Sequence, residues 1–128
     1  MSTNPNITAI FNDHFSEFIE DISNIFPDNV KITSAKNTLS TIRRANPKMI
    51  IKIWINYITT PYKTQIEQGD ISFFLNKDYT NDVEKSSQPD NAVYYVNMLR
   101  EPIQNMGAEN QAKAMKYIQN LTKISELL

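Results

Sequence analysis

Apolar residues in the first segment recur at Ile7, Phe11, Phe15, Phe18, Ile22 and Ile25, with Asp13, Glu17, Glu20 and Asp21 between them. Steps of four, four, three, four and three are the period of one helix face. Asn6 or Thr8 can cap the start of this helix, and Pro27 with Asp28 and Asn29 supplies the stop and turn. A second helix is predicted over about 33–45, burying Ala35, Leu39 and Ile42 and ending where Asn46 precedes Pro47. Asn46 then caps a third helix that begins at Pro47, a position where the missing N–H costs nothing.

That third helix carries the most information. Over residues 49–58 all but Lys52 and Asn56 are apolar or aromatic, and Lys48, Lys52, Asn56, Thr59 and Lys63 make one narrow polar stripe. A helix so patterned is touched on most sides, so residues 47–60 are predicted to be the buried centre of the fold. Pro61 is expected to kink or break it, and Gly69 to end the turns that follow.

Downstream, 70–75 suggests a short helix capped by Asp70, and 76–90 is a polar loop. Ser87-Gln88-Pro89-Asp90 resembles a capping box ahead of Ala92, Val96, Leu99, Ile103 and Met106, a helix that Pro102 interrupts and Gly107 ends. Ala114, Tyr117, Leu121, Ile124 and Leu128, widened by Met115 and Ile118, mark a long C-terminal helix. No strand and no repeat survives the periodicity count. The expected fold is all-α: a compact single-domain bundle over 1–128, with about five main helices around a buried central one.

Composition narrows the chemistry. A chain of 128 residues that is 41% hydrophobic can bury roughly two-thirds of its unfolded surface, and it contains no apolar run long enough to cross a bilayer. No basic, apolar leader follows Met1 and there is no cysteine, so an intracellular protein away from membranes is expected. One histidine and two glycines leave no Cys–His pair, no usual zinc set and no phosphate-cradling loop. No cofactor, no metal and no small-molecule substrate is expected.

Charge is unevenly distributed along the chain. Residues 1–30 hold five acids and no base, residues 31–63 hold seven bases and no acid, and the remainder carries nine acids and six bases. Two readings of the basic stretch stand. Lys36, Arg43, Arg44, Lys48 and Lys52 form a face that contacts phosphates, or the bases pair with the acidic first helix inside the fold.

Other candidates have plainer explanations. Trp54, Tyr57 and Tyr62 resemble a base-stacking platform, but Trp54 and Tyr57 lie opposite Lys52 on the apolar side, which favours packing. His14, Glu17 and Asp21 share one helix face, the arrangement of a partial metal site or an acid/base pair. One helix supplies too few ligands, so a solvent-facing or cap-pairing histidine is expected and no catalytic residue is assigned. Asn6-Ile7-Thr8 and Asn120-Leu121-Thr122 fit the glycosylation pattern, which means nothing without a secretory leader. The C-terminal stripe suits packing on its own core, or pairing with a partner or a second copy.

The runs Ala45-Asn46-Pro47-Lys48-Met49-Ile50-Ile51-Lys52-Ile53-Trp54, Pro61-Tyr62 and Gly69-Asp70-Ile71-Ser72-Phe73-Phe74-Leu75 then stand out. With Met106-Gly107-Ala108-Glu109-Asn110 and Lys116-Tyr117-Ile118-Gln119-Asn120-Leu121, the chain from about Phe11 onward resembles short helical proteins of nucleocytoplasmic large DNA viruses of algae and protists. Its richness in isoleucine, asparagine and lysine is compatible with such an AT-rich genome. The resemblance implies context, meaning host cytoplasm, viral factory or virion, and supplies no activity or functional residue to transfer. The expected function is a non-enzymatic structural or protein-interaction module that binds a protein partner or itself. The alternative is a nucleic-acid-binding or packaging accessory using the five basic residues.

Overall fold

In the computed structural model, residues 6–72 and 100–128 are described, and every element among them is helical. α1 spans Ile7–Ile25, α2 Val30–Ala45, α3 Met49–Trp54, α4 Thr60–Glu67 and α5 Ala108–Ser125. A π-helical turn, Ile55–Thr59, joins α3 to α4. The protein is an all-α bundle, as the periodicity predicts.

α1 begins where Asn6 Oδ1 accepts from the Ala9 N–H at 3.0 Å, so Asn6, of the two candidates, is the cap. Its stripe packs as expected at Phe11, Phe15, Phe18 and Ile22, while Ile25 is exposed at the turn. α2 starts three residues earlier than its apolar spacing suggests. Asn29 Oδ1 accepts from the Ile32 N–H at 3.2 Å and starts the helix at Val30.

Asn46 does not cap the third helix. It closes α2 instead, its N–H donating to the Ile42 carbonyl at 2.7 Å, and α3 begins at Met49 with no side-chain cap. α3 is central: it touches α1, α2 and α5, and Ile50, Ile51 and Trp54 are buried. Trp54 sits edge-on to Phe11 and Phe15, with ring centroids 5.9 and 6.2 Å away. Burying each such ring contributes about 1.5–3 kcal/mol.

Pro61 bends the helix without ending it. Proline has no N–H for the preceding turn and its ring crowds a carbonyl there, which loosens the winding. The Thr60 N–H reaches back five residues to the Ile55 carbonyl, and Tyr62 leaves helical geometry at φ −128°. The extra residue shifts the register, so Thr59, expected on the polar stripe, is buried and its place outside goes to Thr60. Thr59 Oγ1 is then 2.8 Å from Ser125 Oγ.

Gly69, at φ +74°, ends α4 by a Schellman closure: its N–H donates to Ile66 and the Asp70 N–H to Gln65. Asp70 then caps the next turn by accepting from the Ser72 N–H at 3.0 Å. The rest of the 70–75 helix, the 76–90 loop and positions Ala92, Val96 and Leu99 lie outside the described residues. Residues 100–104 are helical straight through Pro102, so that proline does not interrupt the described part. Ile103 and Met106 reach the core, and Gly107 is the N-cap of α5. α5 packs antiparallel on α1, burying Ala114, Met115, Ile118 and Leu121, but Leu128 falls beyond the helix and is exposed.

Candidate cationic surface

The basic stretch divides between the two readings. Lys36 pairs with Glu20 and Arg43 with Asp13, the latter also donating to Ser16 Oγ at 3.5 Å. On a helix wheel Lys36 and Arg43 are seven residues apart and flank the buried Ile32 and Leu39 on the side that meets α1. Both pairs are open to water, where such bridges contribute about 1 kcal/mol or less. Lys63 is also engaged: its ammonium lies 2.6 Å from the Glu126 carboxylate, whose hydrogen bond and charge hold the lysine above its usual range.

Lys31, Arg44, Lys48 and Lys52 remain. All four are exposed, and none makes an ion pair among the described residues. Arg44 leaves the last turn of α2, Lys48 immediately precedes α3, and Lys52 lies one turn further along the same face. Thus three of the five predicted contact residues share the α2–α3 junction, and the other two are held by α1.

The junction is anchored from beneath. Asn12, only 2% exposed, donates through Nδ2 to the Pro47 carbonyl at 2.9 Å and ties α1 to the link between α2 and α3. Its Oδ1 has no hydrogen-bond partner among the described residues. Asn12 was not among the residues singled out in the sequence; a lone polar residue beside the Phe11 and Phe15 stripe is its only trace there.

On the opposite side of α1, His14, Glu17 and Asp21 turn out to be structural. Asp21 Oδ2 accepts the Tyr117 hydroxyl at 2.5 Å, and Tyr117 is stacked on Phe18 with centroids 5.0 Å apart. Hydrogen bonding to Asp21, then burial, pushes the Tyr117 phenol up to about 12. The His14 ring lies 5.0 Å from Tyr117, and its Nδ1 is 3.7 Å from Glu17, a distance for charge contact rather than a hydrogen bond. Among the described residues no group of three or more His, Asp or Glu side chains is arranged to hold a metal.

Trp54 is core. Its Nε1 donates to Thr122 Oγ1 at 3.1 Å, it is 3% exposed, and Tyr57 and Tyr62 are half-buried, so the three do not form an open stacking platform. No described helix is long and apolar enough to cross a membrane. Comparison with protein-family models, curated proteins and solved structures finds no match.

Proposed function

We propose that this chain is a non-enzymatic interaction module of a large DNA virus, acting in the host cytoplasm, viral factory or virion, and that it docks an anionic macromolecular partner on its α2–α3 face. One observation carries the reading: Arg44, Lys48 and Lys52 are exposed at one junction and make no ion pair among the described residues, in a stretch of 33 residues that contains no acid. Internal charge balance accounts for Lys36, Arg43 and Lys63 and leaves these three unpaired among the described residues. Like charges gathered on one surface repel, and an anionic partner relieves that repulsion.

The non-enzymatic part rests on what the acid/base candidates are doing. Asp21 is committed to the Tyr117 hydroxyl and His14 packs against the same ring, so these groups fasten α1 to α5.

Retention on immobilised heparin, a generic polyanion, tests the reading. The wild type is expected to be retained at low salt, and Arg44→Glu/Lys48→Glu to flow through with its helical circular dichroism intact. Lys113→Glu/Lys116→Glu, the same charge change on α5, is expected to elute close to the wild type. Flow-through of the wild type, or equal loss in both variants, contradicts the proposal.

A further inference from the structure

We infer that the partner is duplex nucleic acid, with the outer face of α2 lying along a phosphate backbone; this rests on the reading of the α2–α3 face as an anion-docking surface. The first support is the rest of that face. Ser34, Asn37, Thr41 and Arg44 recur at steps of three, four and three, opposite the buried Ile32, Ala35 and Leu39, and all four are exposed. Thr41 donates its hydroxyl to the Asn37 carbonyl, whereas the Ser34 hydroxyl and the Asn37 amide make no hydrogen bond among the described residues.

Ser34 and Asn37, two neutral donors, followed by Arg44, Lys48 and Lys52, are the mixture whose protons phosphate oxygens accept, since hydroxyls and amides contact them as cations do. α2, with 16 residues, runs about 24 Å, long enough to follow several phosphates in sequence. Residues 31–63, which supply the line, contain no Asp or Glu.

Proteins that hold unpaired bases stack them on aromatic rings, and among the described residues Trp54, the one tryptophan of the sequence, is in the core with its N–H committed to Thr122, while Tyr57 and Tyr62 are half-buried. These exposed cations suit phosphate oxygens, so the greater part of the affinity is expected to be electrostatic and insensitive to sequence.

Fluorescence anisotropy of the intact protein with a labelled random 20-bp duplex, a single strand of equal length, and polyglutamate as competitor decides the matter. Four phosphate contacts, from Lys31, Arg44, Lys48 and Lys52, predict a duplex affinity that falls roughly a hundredfold between 50 and 200 mM salt. Arg44→Glu/Lys48→Glu is expected to abolish binding. Ser34→Ala/Asn37→Ala is expected to weaken it several-fold with the salt slope unchanged, because neutral donors release no counterions. Single strand bound as tightly as duplex, or polyglutamate competing mass for mass with it, overturns the inference while leaving an anion-docking α2–α3 face in place. No duplex binding together with no heparin retention removes both.

Discussion

The indole N–H of Trp54 donates to the hydroxyl of Thr122 at 3.1 Å, joining α3 to α5 in the middle of the bundle, where both residues are buried. Thr122→Val keeps the shape and removes the acceptor. An unpaired buried donor costs about 1–3 kcal/mol, so the variant is expected to lose that much in urea unfolding with the slope unchanged. A neutral result contradicts the assigned bond.

Asn12 provides a second test. Asn12→Ala removes the donor to Pro47 and leaves a small cavity beneath the α2–α3 junction. The expected loss is about 1–3 kcal/mol, from the orphaned carbonyl and the lost packing. Because the junction also loses its tether to α1, amide hydrogen exchange over residues 46–50 is expected to accelerate more than exchange in α5.

Gly69 sits at φ +74°, and a Cβ there meets only Gln119 Nε2, at 3.7 Å. Space is therefore not the constraint. Gly69→Ala is expected to destabilise by about 1–2 kcal/mol through left-handed backbone strain alone, and Gly69→Asn by less. Equal losses in the two variants would point to a steric cause.

The Tyr117–Asp21 pair predicts a signature at alkaline pH. The folded phenol titrates near 12, above its ordinary value of 10, so the pair's contribution to stability is complete below pH 10 and is lost as the pH rises from 10 towards 12. Ultraviolet titration is expected to show one late tyrosinate step that disappears in Tyr117→Phe and moves to lower pH in Asp21→Asn. A Tyr117→Phe titration curve with its late step still present refutes the assignment.

Much of this architecture is legible in the spacing of large side chains. α1 and α5 follow directly from their stripes because Phe11, Phe15, Phe18, Ile118 and Leu121 leave little choice of face. The π-helical turn is less accessible: Pro61 marks a kink, but its effect runs backwards through Ile55–Thr59 and inverts the expected exposure of Thr59. Asn46 reads as a cap and Asn29 as part of a turn in sequence, yet it is Asn29 whose side chain meets a free first-turn N–H. The charge block shows that a basic surface or a charge-balanced interface exists; dividing it needs the phase of α2. Lys36 and Arg43 share the angle that faces α1, whereas Arg44, one residue on, is turned about 100° away and into solvent.

Stability and partner binding are expected to separate along that division. Lys36→Gln and Arg43→Gln each remove an exposed ion pair and should cost up to about 1 kcal/mol with little effect on heparin retention. Arg44→Gln and Lys48→Gln are expected to leave the unfolding midpoint unchanged and to reduce retention. Reversal of this pattern would place the docking surface on the α1 side.

The most direct test is to map the contact residue by residue, by titrating isotope-labelled protein with a short heparin oligosaccharide and following backbone amide shifts. A cationic α2–α3 face predicts that the largest changes fall on residues 44–52, extend back along α2, and fade at high salt. Changes centred on Lys113, Lys116 and Lys123 of α5, or none at low salt, would contradict it.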